Sequence, residues 1–106
     1  MRILFDQGVP VPLRRLLPGQ DVVTVYERGW SRLENGKLLA AAEADGFEVF
    51  LTTDKNLKHQ QDLSGRSMAI LVLETTSWPR IRAASATIVA ALGSAIPGSY
   101  AEVSID

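Results

Sequence analysis

The sequence predicts an α/β domain: a mostly parallel five-stranded sheet with helices on both faces. Three observations lead there. Strand-like apolar runs alternate with helix-like segments along the chain. Two of those runs, residues 47–53 and 68–73, are apolar at successive positions, as in strands covered on both faces. The chain has 106 residues, enough for one hydrophobic core and too few for a second. Strict alternation of strands and helices implies a parallel sheet, and right-handed crossovers leave few arrangements. The commonest for five strands is the order 2-1-3-4-5, with its switch point between strands 1 and 3.

Arg2–Phe5 is the first predicted strand, short and buried. Residues 9–17 are expected to form a helix, since Pro10 and Pro12 fit a first turn whose N–H groups lack intrahelical partners. Leu13, Leu16 and Leu17 would form its apolar stripe, with Arg14 and Arg15 facing away and Pro18-Gly19 as the stop. Residues 21–25 (Asp-Val-Val-Thr-Val) make a β-branched second strand. A polar loop over 26–33 holds Trp30.

A second helix is expected over Asn35–Ala44, with Asn35 as N-cap and Gly46 as its stop. Ser31-x-x-Glu34 also fits a capping box and offers a start one turn earlier. Residues 47–53 form the third strand. Residues 54–61 read as a short polar helix broken by Ser64-Gly65, and 68–73 as the fourth strand. Pro79 suits the first turn of a last helix running to Leu92, with Ile81, Ala84, Ile88 and Leu92 as its stripe and Arg80 and Arg82 exposed. Gly93 and Pro97-Gly98 end it, and residues 100–105 alternate like an edge strand.

Eleven basic against twelve acidic side chains argue against binding nucleic acid by overall charge, though not against a local basic patch. The lack of cysteine excludes disulfides, thiolate metal sites and a cysteine nucleophile. The chain leads directly into a strand without a signal-like segment, and no apolar run approaches the ~20 residues of a membrane span. A cytoplasmic protein without membrane association is expected.

The first and third strands each end in an aspartate, Asp6 and Asp54. In the order 2-1-3-4-5 these strands are neighbours, and their carboxyl ends are where open α/β sheets bind ligands. Two carboxylates ~4 Å apart repel by about 4 kcal/mol at an effective dielectric near 20. A shared proton, a basic partner or a cation must offset that. Hard divalent cations prefer oxygen ligands, so the pair suggests phosphoryl chemistry with Mg²⁺ or Mn²⁺. The alternative is that each aspartate caps the helix that follows it.

The flanks add candidates. Lys55, Asn56, Lys58 and His59 follow Asp54 and can bind phosphate or form a solvated helix face. Glu34 is a candidate third acid, and Asn35 a ligand or a cap. Thr75, in the Glu74-Thr75-Thr76-Ser77 loop after strand 4, is a candidate substrate contact, with Ser77 a candidate cap. Trp30 and Trp78 can stack on bases or close over the core.

The segment Ile3-Leu4-Phe5-Asp6-Gln7-Gly8-Val9-Pro10 resembles the opening of small PIN-like domains, where an aspartate is followed by an acid and an asparagine and then a Pro-containing helix. Residues 21–25 are similar to their second strand, and Leu51-Thr52-Thr53-Asp54-Lys55-Asn56-Leu57 to their Thr-x-Asp-x-Asp-Phe segment. The likeness runs from residue 1 to about residue 73, to a PIN-like group related to VapC-type toxin ribonucleases. It implies one PIN-like domain over 1–106 and an Mg²⁺- or Mn²⁺-dependent endoribonuclease site. Asp6 and Asp54 would be its ligands, and the acid of the second helix would be Glu34, shifted by one place, or lost to Asn35. It also implies a bacterial or archaeal toxin–antitoxin setting, with RNA as substrate and a small antitoxin-like protein as partner. The chain departs from the pattern at Gln7, Gly8, Asn35 and Asn56, where acids or ligand-holding groups are expected.

Two other readings accompany the ribonuclease. One is a non-catalytic PIN-like module that binds RNA or protein. The other is a receiver-like phospho-acceptor, matched by Asp6, Asp54 and Thr75 or Thr76. Gln7 breaks the acidic pair that a receiver needs, and no lysine follows Lys58. The alanine-rich last helix can line a homodimer or pack on the sheet.

Overall fold

A computed structural model describes residues 1–60 and 65–105. Five parallel strands, β1 (Arg2–Phe5), β2 (Asp21–Thr24), β3 (Val49–Thr52), β4 (Ala69–Leu73) and β5 (Tyr100–Val103), form one sheet in the order β2-β1-β3-β4-β5. This is the order expected from the alternation of elements.

Successive strand side chains point to opposite faces, so each central strand feeds two cores. Ile3 and Phe5 of β1 join Val49, Leu51, Leu71 and Leu73 on one face. There the sheet is covered by a 3-10 helix (Val11–Leu16) and by two helices, α3 (Trp78–Ala83) and α4 (Ser85–Ser94). Leu4, Phe50, Ile70 and Val72 face the other way, onto α1 (Asn35–Ala44) and Leu57 of α2 (Leu57–Gln60). Both faces of β3 and β4 are buried, as their unbroken apolar runs require.

The helix expected over 9–17 is shorter and more tightly wound. Pro10 stays extended, and the bonds that close the turns run from Leu13 N–H to the Pro10 carbonyl and from Leu17 N–H to the Arg14 carbonyl. Closure by i→i−3 bonds is confined to a short piece of six residues, as is usual for this tighter helix. Leu13 and Leu17 are buried and Leu16 is half-buried, as their spacing implied. Arg14 lies off that stripe, partly exposed, and pairs with Glu27.

The last helix is two helices. They meet at Ala84, whose N–H is shared between the Arg80, Ile81 and Arg82 carbonyls. Ser85 and Thr87, both weak helix formers, follow the break. Gly93 lies inside α4 instead of ending it. Ile81, Ile88 and Leu92 are buried on the sheet and Ala84 and Ala91 partly so, whereas Ala83, Ala86, Val89 and Ala90 are exposed.

Helix α1 keeps its expected span, with Gly46 at φ +83° just beyond it. Its N-cap position is Glu34, not Asn35, and neither a side-chain cap nor the Ser31–Glu34 capping box forms. Helix α2 begins at Leu57, three residues later than expected. Gln61 and Ser64, where its end and break were expected, lie outside the described residues, as do the side chains of His59 and Gln60. Just beyond β5, Ile105 is fully buried, and its carbonyl accepts from Arg80 at 2.6 Å. Arg80 is therefore engaged, not simply solvated. No helix among the described residues is long and apolar enough to cross a membrane.

Candidate functional site

Asp6 and Asp54 follow the carboxyl ends of β1 and β3, adjacent strands at the switch point of the sheet. One buried hydroxyl joins them. Thr52, the last residue of β3, donates its Oγ1–H to Asp6 Oδ2 at 2.7 Å and accepts the Asp54 backbone N–H at 3.1 Å. Thr52 has no exposed surface. Because it points to the same face as Leu4 and Phe50, it sits between the two strand ends, beneath both aspartates. The Asp6 N–H continues the ladder by donating to the Leu51 carbonyl at 2.9 Å.

The second oxygen of each carboxylate is held locally. Asp6 Oδ1 accepts the Gln7 N–H at 2.9 Å, and Asp54 Oδ1 accepts the Asn56 N–H at 3.0 Å. The Asp54 bond has the form of an Asx turn leading toward α2, so the capping alternative describes one of its oxygens. Its Oδ2 accepts from Asn35 Nδ2 at 3.4 Å. Each carboxylate thus uses two of about four acceptor directions and keeps the remainder. No ion pair among the described residues involves Asp6 or Asp54.

The departures from the PIN-like pattern have structural uses. Gln7 donates through Nε2 to the Ser31 carbonyl at 2.8 Å, holding the loop before α1 against the end of β1. An acid there would have no proton to give. Gly8 packs so closely on Thr53 that an added Cβ would stand 2.2 Å from its Oγ1. Asn35, at the start of α1, is neither the cap nor a third acid; its amide steadies Asp54.

Other expected site residues are dispersed. Glu34 is exposed, and no hydrogen bond among the described residues joins it to either aspartate. No group of three acidic or histidine side chains among the described residues is placed to hold a metal ion. Any metal would therefore rest on Asp6 and Asp54, with water filling most positions. Carboxylate oxygens are the ligand type that hard divalent cations prefer, and these two side chains are positioned by a hydroxyl and an amide. Lys55 and Asn56 are exposed beside Asp54. Thr75 spends its hydroxyl on the Ser77 N–H at 3.1 Å, shaping the entry to α3. Ser77 occupies the N-cap position of α3 without a side-chain cap.

The tryptophans close the core. Trp30 meets Phe47 edge-on at 6.2 Å, with the Arg28 guanidinium over its ring, and Trp78 packs against the other core. On the β5 side, Tyr100 donates to Glu102 at 3.1 Å, and Lys58 pairs with Glu102 at 3.2 Å. Burial, then the hydrogen bond to and charge of Glu102, then the charge of Asp54, push the Tyr100 hydroxyl up to about 12.

Two cavities border Asp6. A polar one of about 270 Å³ lies between the Asp6-Gln7-Gly8 turn and α1, lined also by Trp30, Ser31 and Asn35. A larger, more apolar groove of about 740 Å³ runs from Asp6 between the 3-10 helix and the turn after β2. Tyr26, on the rim of that groove, is 81% exposed, and nothing in the sequence singles it out. No family model, no curated protein and no solved structure matches the chain.

Proposed function

We propose that this chain is a PIN-like, Mg²⁺- or Mn²⁺-dependent endoribonuclease with a reduced acidic site built on Asp6 and Asp54. The observation that supports it most is the Thr52 bridge. One buried hydroxyl at the sheet's switch point holds the Asp6 carboxylate and the Asp54 backbone N–H, and neither carboxylate has a basic partner among the described residues.

In this reading Asp6 and Asp54 hold the metal. When bound, such a metal activates water and clamps a phosphodiester. The protein's own contribution is orientation. Thr52 fixes Asp6 against β3, Asn35 aims Asp54, and the Gln7–Ser31 bond keeps the neighbouring loop in place. Lys55, exposed next to Asp54, is the residue that meets the substrate phosphate, with Asn56 beside it. Glu34 and Thr75 have no part in this arrangement. The same reading carries a cytoplasmic setting, a small antitoxin-like partner and, through the exposed side of α4, a homodimer.

The purified protein should cleave RNA in Mg²⁺ or Mn²⁺, and Asp6→Asn combined with Asp54→Asn should remove that cleavage. Cleavage no greater than that of the double variant would sink the proposal. The dispersal of the third acid favours a second reading, a module that binds RNA without cleaving it. Tight Mn²⁺ binding that disappears in Asp54→Asn would count against that alternative.

A further inference from the structure

We infer that the groove beside Asp6 is a nucleobase site, with Tyr26 as its stacking platform, so that the RNA strand reaches the carboxylate pair from the β2 side. This rests on the ribonuclease reading and deepens it by locating a base of the substrate.

The groove is continuous with the site: Asp6, Gln7, Val25 and Ser31 line both it and the smaller polar cavity. Its volume of about 740 Å³ lies within the usual range for small-molecule sites. Phe5, Val9 and Val25 make a buried apolar floor. Above it stand Val11, 53% exposed, and the ring of Tyr26. The fold does not use that ring. Among the described residues Tyr26 makes no ring contact and no side-chain hydrogen bond, whereas Trp30 is committed to Phe47.

Arg14 also lines the groove. An apolar floor and a free aromatic face match a flat heterocycle. They match a bare phosphate poorly, because the Arg14 charge is already neutralised by Glu27 at 2.6 Å. Stacking therefore supplies more of the affinity here than phosphate attraction does, in keeping with the chain's near-zero net charge.

The test compares wild type, Tyr26→Ala and Tyr26→Phe, using a fluorescent single-stranded RNA oligomer for anisotropy and for cleavage in Mn²⁺. Loss of one base–aromatic stack should raise Kd and KM about tenfold or more in Tyr26→Ala. The turnover number should change by less than about twofold, since uniform binding is what is removed. Tyr26→Phe, which keeps the ring, should behave as wild type. Cleavage by wild type with Kd and KM unaffected in Tyr26→Ala overturns the groove and leaves the ribonuclease standing. Wild type that binds but does not cleave, with binding weakened in Tyr26→Ala, supports the groove and overturns the ribonuclease. Wild type that neither binds nor cleaves overturns both.

Discussion

Thr52 has no exposed surface, and both sides of its hydroxyl are used. A valine at this position fits the β3 ladder but leaves the Asp6 carboxylate and the Asp54 N–H without that partner. Thr52→Val should therefore destabilise the protein by about 1–3 kcal/mol, read as a lower urea midpoint, while Thr52→Ser should recover most of the loss. At this scale the sequence was only partly legible. A strand-end aspartate is visible in a string of residues because its neighbours are apolar. A hydroxyl that bridges two strands is not, since Thr52 and Thr53 look alike until the pleat assigns them to opposite faces. The same holds for Gln7 and Asn35. Each reads as a missing acid in the pattern, and only the positions of Ser31 and Asp54 show what their amides do.

Among the elements, the 3-10 helix and the turn after β2 are joined by one ion pair, Arg14 with Glu27. Glu27 also accepts the Thr24 N–H at 2.9 Å, and Thr24 Oγ1 accepts the Glu27 N–H at 3.0 Å, so the acid closes the turn and fastens it to its neighbour. The hydrogen bond from Arg14, then that from the Thr24 backbone, hold the Glu27 carboxyl below its ordinary value of 4.5. A carboxyl whose pKa is lowered by folding contributes stability above its unfolded value. That contribution is lost as pH falls through the folded one. Glu27→Gln should thus be less stable than wild type near neutrality, and the gap should narrow as pH falls below the ordinary value of 4.5 in urea titrations. A gap that does not change with pH would show that the pair contributes nothing through its charge. Strand positions were legible because alternation and apolar runs are long-range signals. The kind of helix was less so. Two prolines announce a start, but they do not say whether i→i−3 or i→i−4 bonds follow. The break at Ala84 carries no glycine or proline to mark it.

For the whole molecule, the sheet has two open edges, β2 and β5, and the β5 side is secured from beyond the strand. Ile105 fills the core next to Val103, and Arg80 and Glu74 bond its backbone. With one domain's worth of core, each fully buried side chain is a large share of the total stability. Ile105→Ala should cost about 2–5 kcal/mol, seen as a marked fall in Tm. A fall of no more than a degree or two would mean that Ile105 contributes little to holding β5.

The Thr52–Asp6 bond spans 46 positions of the chain. No local fragment can make it: β1 and its turn lack the hydroxyl, and β3 lacks the carboxylate. The entropy of closing that loop must be met before the contact forms. Until β1 and β3 dock, a growing or half-folded chain carries the two aspartates as unrelated residues. Whatever this site does, it can do only as a finished fold.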